Sequence, residues 1–522
     1  MSRIVAVAVV VAGLWTQLWA GVVKVGPEFQ VNAYTFSDQE SPSVAVDGSG
    51  DFVVAWRSWA QDGSSYGIFA RRFDSSGVPQ GLEFQVNTYT TGSQSRPSVT
   101  TDWVGNFVVV WESYDGSYYG GFGQQFDRAG VPRDTEFRVN TYTEDYQSYP
   151  SVAAVASGGF VVVWQSYDQD GSDYGIFGQR FDSAGVPQGS EFQVNIHTTN
   201  SQRWPSLAVD AAGNIVVAWQ SFGQDGSLGG IFARRFDGAG VPQGSEFQVN
   251  TYTTDQQYYP WVAAEPAGNF VVVWQSYGQD GSGHGIFGQR FDSAGVPQGS
   301  EFQVNTYTTI SQGFPSVAMD ASGDFVVVWE SWGQDGSEGG IFGRRFDSAG
   351  IPQGDEFQVN TYTTGLQDRP SIALDAGGDF VVAWTSHGQD GSHYGIFGQR
   401  FYGRSPEVTA PLPTDTLDCS DPRLVRPTLT WDDDRYDRFR AFIGWDPAFG
   451  TGRQVTSGDT LLRATSWTPS AKKWRKACAN AAAINPSSPV LYLKVLGVDR
   501  DLPKSNPARK RYSPVVQVNV QP

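Results

Sequence analysis

The most informative pattern along the chain is a five-residue run with no polar position. Phe-Val-Val-Val-Trp, or a close variant, ends at Trp56, Trp111, Trp164, Trp219, Trp274, Trp329 and Trp384. A strand with one solvated face alternates apolar and polar residues, so an unbroken β-branched run predicts a strand buried on both faces. Three further segments recur with it. One begins at Pro42, Pro97, Pro150, Pro205, Pro260, Pro315 and Pro370, most often as Pro-Ser-Val-Ala. Another is Gly-Ile-Phe-Gly-Gln-Arg-Phe-Asp, complete at Gly175 to Asp182 and Gly285 to Asp292. The last is Glu-Phe-Gln-Val-Asn, starting at Glu28, Glu83, Glu136, Glu191, Glu246, Glu301 and Glu356. Each is short, rich in Val, Phe, Ile or Trp and bounded by turn residues, which predicts four strands per unit. Asp-x-x-Gly-Asn or Asp-x-x-Gly-Asp, as at Asp210 to Asn214 and Asp320 to Asp324, joins the first two as a hairpin.

The pentapeptides are spaced 55, 53, 55, 55, 55 and 55 residues apart. A fixed period of this size belongs to solenoids or propellers, and four-stranded sheets buried on both faces fit a seven-bladed β-propeller on residues 28–402. The first unit opens with Glu-Phe-Gln-Val-Asn and the seventh stops at Phe401 without it. Residues Glu28 to Asn32 are therefore expected to complete the last blade and close the ring. An open solenoid would need altered capping units, and the terminal repeats are ordinary. The hairpin Pro42 to Trp56 resembles that of NHL-type propeller repeats, and the whole unit is similar to repeats of large secreted bacterial surface proteins. The resemblance implies a propeller used for binding and carries over no catalytic residue.

Outside the repeats, Arg3 followed by the apolar stretch Ile4 to Trp15 and by Ala20 reads as a signal peptide on residues 1–20. Export to the extracellular space, the cell surface or the periplasm follows, with no membrane insertion after cleavage. Residues 403–413 are a Pro-rich linker. Within residues 414–522, Pro427 to Trp431, Arg438 to Trp445, Thr465 to Pro469, Val490 to Val498 and Ser513 to Val520 read as strands, similar to a fibronectin type III-like β-sandwich. Lys472 to Ala483 reads as a short helix with four basic residues. Cys419 and Cys478, the only cysteines, are expected to pair as a disulfide in an exported chain.

Composition narrows the function. Hydrophobic content of 39% and aromatic content of 14% exclude a disordered chain. Residues 1–402 carry 18 Lys+Arg against 42 Asp+Glu and residues 403–522 carry 18 against 12, a break that marks a domain boundary. The total of −18 argues against nucleic acid and anionic membrane as partners.

Candidate chemistry lies on the face formed by the loops entering the inner strand and leaving the second. A Gln recurs there in all seven copies, at Gln39, Gln94, Gln147, Gln202, Gln257, Gln312 and Gln367, which predicts a structural role. The residue before each proline varies instead: Ser41, Arg96, Tyr149, Trp204, Tyr259, Phe314 and Arg369. Aromatic faces stack on sugars and arginines pair with carboxylates, so Arg96, Tyr149, Trp204, Tyr259, Phe314 and Arg369 are a candidate ligand site for a glycan or an extracellular protein. The alternative is that the rings pack between blades. Asp168, Asp170 and Asp173 are a candidate calcium site, lacking the order and the closing Glu of an EF-hand; no other cofactor is called for. The four histidines, His197, His284, His387 and His393, lack a zinc-like set of partners. Catalysis needs a few unlike groups, and seven near-copies offer rings of like ones. The expectation is a monomeric binding protein and not an enzyme. A glycan-cleaving propeller, requiring two carboxylates in unlike surroundings near the axis, and a structural envelope protein are the alternatives.

Overall fold

A computed structural model of the chain describes residues 22–403, apart from Asp115 and Ser117, and beyond them a set of strands with the helical residues Lys473, Lys476 and Ala477. The expected signal peptide, the Cys419–Cys478 pair and the rest of the basic segment Lys472 to Ala483 lie outside the described residues. Residues Val22–Arg404 form one unit and Ser405–Pro522 belong to another.

The first unit is a seven-bladed β-propeller of four-stranded antiparallel sheets. In the third blade the strands are Gln147–Ala154, Phe160–Tyr167, Tyr174–Phe181 and Phe192–Gln193, innermost to outermost. Glu-Phe-Gln-Val-Asn supplies only two ladder residues in six blades. In the seventh, Val23–Gln30 pairs with Tyr394–Tyr402, placing Lys24 opposite Phe401 and Phe29 opposite Gly398. Asn32 Oδ1 then accepts from the Ile396 amide at 2.7 Å. The N-terminal segment thus closes the ring, as the strand order predicts.

The absence of polar positions in the second strand has a direct cause. Phe270, Val272 and Trp274 pack with Val216 and Ala218 of the preceding blade. Val271 and Val273, pointing the other way, pack with Phe325, Val327 and Trp329 of the next. Alternate side chains serve two interfaces, so both faces must be apolar. The seven tryptophans are at most 1% exposed, and truncating one to alanine is worth about 3–5 kcal/mol. A stacked pair such as Phe270 and Phe291, 5.0 Å apart, receives Phe247 from the neighbouring outer strand at 5.4 Å from Phe291.

The invariant polar residues hold the connections. Asn250 Oδ1 accepts from the Ile231 amide at 2.7 Å, and its Nδ2 donates to Gln257 Oε1 at 3.2 Å. Gln257 donates in turn to the Thr254 carbonyl at 2.9 Å. All seven such glutamines are 0% exposed, in keeping with the structural role expected of them. The glutamate opening each outer segment clamps the loop of the previous blade; Glu28 does so across the closure, accepting from the Thr361 amide at 2.6 Å.

In the second unit, Glu407–Ala410, Leu429–Asp432 and Ser466–Trp467 form one sheet, the first of these strands falling inside the expected linker. Thr416–Asp418, Val516–Gln521, Val490–Val498, Arg438–Gly444 and Gln454–Thr456 form another, with Lys510–Tyr512 paired to Val490–Val498. Among the described residues no helix is long and apolar enough to cross a membrane.

Candidate functional site

Each inner strand carries a β-bulge at the proline. In the third blade Ser148 lies opposite Gln165 and Ser151 opposite Val163, so Tyr149 and Pro150 together face Trp164. Bulges re-aim side chains and recur beside functional sites. The residue before the proline takes the left-handed conformation in every blade: Ser41 φ 55°, Arg96 52°, Tyr149 55°, Trp204 55°, Tyr259 51°, Phe314 49° and Arg369 50°. That conformation costs a side chain bearing Cβ roughly 1–2 kcal/mol. Seven repetitions of it turn these residues inward, where with their prolines they line an axial cavity of about 440 Å³.

The side chains touch in sequence around the axis. The Arg96 guanidinium lies 3.7 Å from the centre of the Tyr149 ring. Tyr149 meets Trp204 edge-on at 6.4 Å, Trp204 meets Tyr259 at 4.4 Å and Tyr259 meets Phe314 at 5.1 Å. Arg369 sits 5.8 Å over Phe314 and donates from Nη1 to Ser41 Oγ at 2.8 Å. The structure therefore brings the six sequence-derived candidates into one arc. The rings pack on one another around the cavity and each stays partly exposed to it, so packing and an open face coexist. The arginines are not free for a guest's carboxylate: Arg96 is paired with Glu112 at 2.5 Å, and Arg369 has Asp368 at 3.7 Å.

Around this arc lies a second set of residues that the sequence reading missed. It comprises the position two before each proline, the position after each core tryptophan and the first residue of the third strand. Glu40 pairs with Arg57 at 2.5 Å and accepts from the Tyr66 hydroxyl at 3.2 Å. Burial and then Glu40 push Tyr66 up to about 12. Tyr258 and Nε2 of His284 are 2.5 Å apart, and His284 Nδ1 is 3.3 Å from Ser311 Oγ. Burial raises Tyr258 and lowers His284, so the proton rests on the phenol and the imidazole is neutral. In the sixth and seventh blades, which lie between the blades of Tyr258 and Glu40, burial, reinforced by Asp368, pushes Glu330 up to about 8, while burial pushes Asp368 up to about 6 against the opposing charge of Arg369. The position two before the proline changes in almost every blade, through Glu40, Ser95, Ser148, Arg203, Tyr258, Gly313 and Asp368, and that variation is the signal that would have found it.

The three aspartates of the third blade do not assemble into a calcium site. Asp170 accepts from the Ser172 amide at 3.3 Å and from Asn195 Nδ2 at 3.2 Å, and Asp173 accepts from Ser201 Oγ at 3.3 Å. The oxygens of Asp170 and Asp173 are engaged in turn and loop contacts, and among the described residues no group of three or more His, Cys, Asp or Glu side chains is placed to hold a metal.

No protein-family model matches the chain, and no curated protein matches it in sequence. Solved structures do resemble it in fold. A protein of unknown function from Dyadobacter fermentans aligns at 11% identity with a TM-score of 0.45, covering 74% of this chain and 100% of that one. The polysaccharide lyase Uly1 aligns at 10% identity and TM-score 0.45, covering 73% and 100%. The NanB sialidase of Streptococcus pneumoniae aligns at 10% identity and TM-score 0.40, covering 72% and 70%. The expectation that the chain is not an enzyme is corrected here. It rested on repetition giving rings of like groups, whereas the mouth carries unlike titratable groups, Tyr258 against His284 and Glu330 near Asp368.

Proposed function

We propose that the chain is a secreted, glycan-active propeller whose axial mouth holds a saccharide beside groups able to move a proton. The observation that carries this reading is the contiguous arc from Tyr149 through Trp204 and Tyr259 to Phe314, partly exposed along a cavity large enough for sugar units. Sugar rings present flat C–H faces that stack on aromatic planes. Tyr258 stands at the edge of that platform, its ring centre 6.0 Å from Trp204 and 5.2 Å from Tyr259. A sugar on Trp204 therefore lies beside a neutral imidazole able to take a proton from the substrate and a protonated phenol able to donate one, the two joined through Tyr258 Oη and His284 Nε2. The second unit, read as a fibronectin type III-like sandwich, serves as a spacer or second contact.

The test is incubation of the full chain with a panel of soluble glycans, reading both retention of the glycan and its chain length. Retention abolished by Trp204→Ala with Tyr259→Ala supports the mouth as the binding site. Shortening lost in Tyr258→Phe while retention persists supports the proton-transfer role. Failure of the wild type to retain any glycan overturns the proposal, and retention without shortening overturns its catalytic part.

A further inference from the structure

A second cavity, of about 470 Å³, opens beside the axial mouth across the first four blades. Its chemistry is distinct from that of the aromatic arc, because Tyr66, Tyr119, Tyr146 and Tyr174 line it together with Arg57, Arg96 and Arg203. Two of these arginines are neutralised within the protein, Arg57 by Glu40 and Arg96 by Glu112, each at 2.5 Å. Arg203 is not. Its guanidinium lies 4.7 Å from the centre of the Tyr174 ring, and its Nε is buried without a hydrogen-bond partner. Other arginines of the propeller satisfy themselves on carbonyls, as Arg234 does on Val194 at 2.9 Å. No such partner, and no carboxylate, reaches Arg203 among the described residues.

An arginine seated on an aromatic face is oriented in advance and partly desolvated, and its planar fork matches the two oxygens of a carboxylate. A guanidinium with no acceptor inside the protein is satisfied when a ligand supplies one to its fork. Trp204 and Tyr149 line both cavities, so one chain of sugars can run from the aromatic arc into this groove.

We propose that the groove is a subsite for a uronic-acid unit of the glycan, with Arg203 pairing its carboxylate and the surrounding tyrosine hydroxyls contacting its ring oxygens. This rests on the axial mouth being a saccharide site and names the class of saccharide it takes. The single unpaired arginine among the described residues of the groove fits one anionic group per sugar, and because the same fork can also hold a sulfate ester, the test separates the two.

The full chain is titrated with polygalacturonate, alginate and polyglucuronate, with the methyl-esterified form of each, with a sulfated polysaccharide and with a neutral β-glucan. The expected result is binding of at least one free polyuronate, weakened tenfold or more by esterification and by raised salt. Arg203→Gln is expected to lose the same factor and Arg203→Lys to recover part of it, both melting as the wild type does. Equal binding of free acid and ester, preference for the sulfated or neutral polymer, or an unaltered Arg203→Gln overturns this subsite while leaving the axial site standing. Failure to bind every polymer overturns both.

Discussion

The phenol oxygen of Tyr258 lies 2.5 Å from Nε2 of His284. No other blade combines a tyrosine and a histidine at these positions. His284 accepts a proton only when neutral, and burial holds it below the usual imidazole value of 6.5. Glycan turnover is therefore expected to be constant through neutral pH and to fall as pH drops through a value below 6.5. Initial rates between pH 4 and 8 check this, and an acidic limb centred above 7, or one preserved in His284→Gln, contradicts it.

Glu330 predicts a pH dependence of stability. Its carboxyl is raised from 4.5 to about 8, so the folded protein holds this proton more tightly than the unfolded chain does. The stabilisation is complete below pH 4.5 and is lost as pH rises through 8, by an amount on the order of 5 kcal/mol. Glu330→Gln, which keeps the shape without the ionisation, is expected to melt close to the wild type at pH 5 and well above it at pH 9. Thermal melts at the two pH values decide the matter; equal differences at both would assign the effect to packing.

The buried amide network predicts a local cost. Gln257→Leu leaves Nδ2 of Asn250 without one of its acceptors and the Thr254 carbonyl without a donor. A loss of about 1–3 kcal/mol is expected, read as a lower denaturant midpoint with an unchanged slope. An unchanged midpoint would remove the repeated glutamines from the structural role given to them.

The fold was largely legible because repetition multiplies a weak signal. A single Phe-Val-Val-Val-Trp does not distinguish a buried strand from a buried helical turn, whereas seven copies at a fixed period, each bounded by turn residues, do. The site was legible in part. The position next to proline was assigned to the mouth because it varies between copies, and on a regular strand its neighbour would point to the opposite face. The bulge breaks that alternation, and Tyr258 and Tyr259, adjacent in sequence, have ring centres 5.2 Å apart. Pairings such as Glu40 with Arg57 and Tyr258 with His284 join different strands of a blade, and no periodicity within one strand announces them.

Ring closure predicts the effect of removing the N-terminal strand. A chain starting at Ala33 lacks the partner of Tyr394–Tyr402 and the Glu28 contact to Thr361. The exposed strand edge is a template for pairing with other molecules. Lower thermal stability and self-association in size-exclusion chromatography are expected, and a stable monomer would show that the remaining blades suffice.

The same pairing orders events during biosynthesis. Val23–Gln30 leaves the ribosome first, yet its partner, Tyr394–Tyr402, follows after more than three hundred and fifty residues. The six blades between can fold from local hairpins as they emerge, while the earliest strand waits for the latest. Joining the ends carries the loop-closure entropy of the whole array, which is reduced once the intervening blades have already brought them near. Closure is thereby coupled to the integrity of every blade between, and a fault in any of them leaves the first strand without its place.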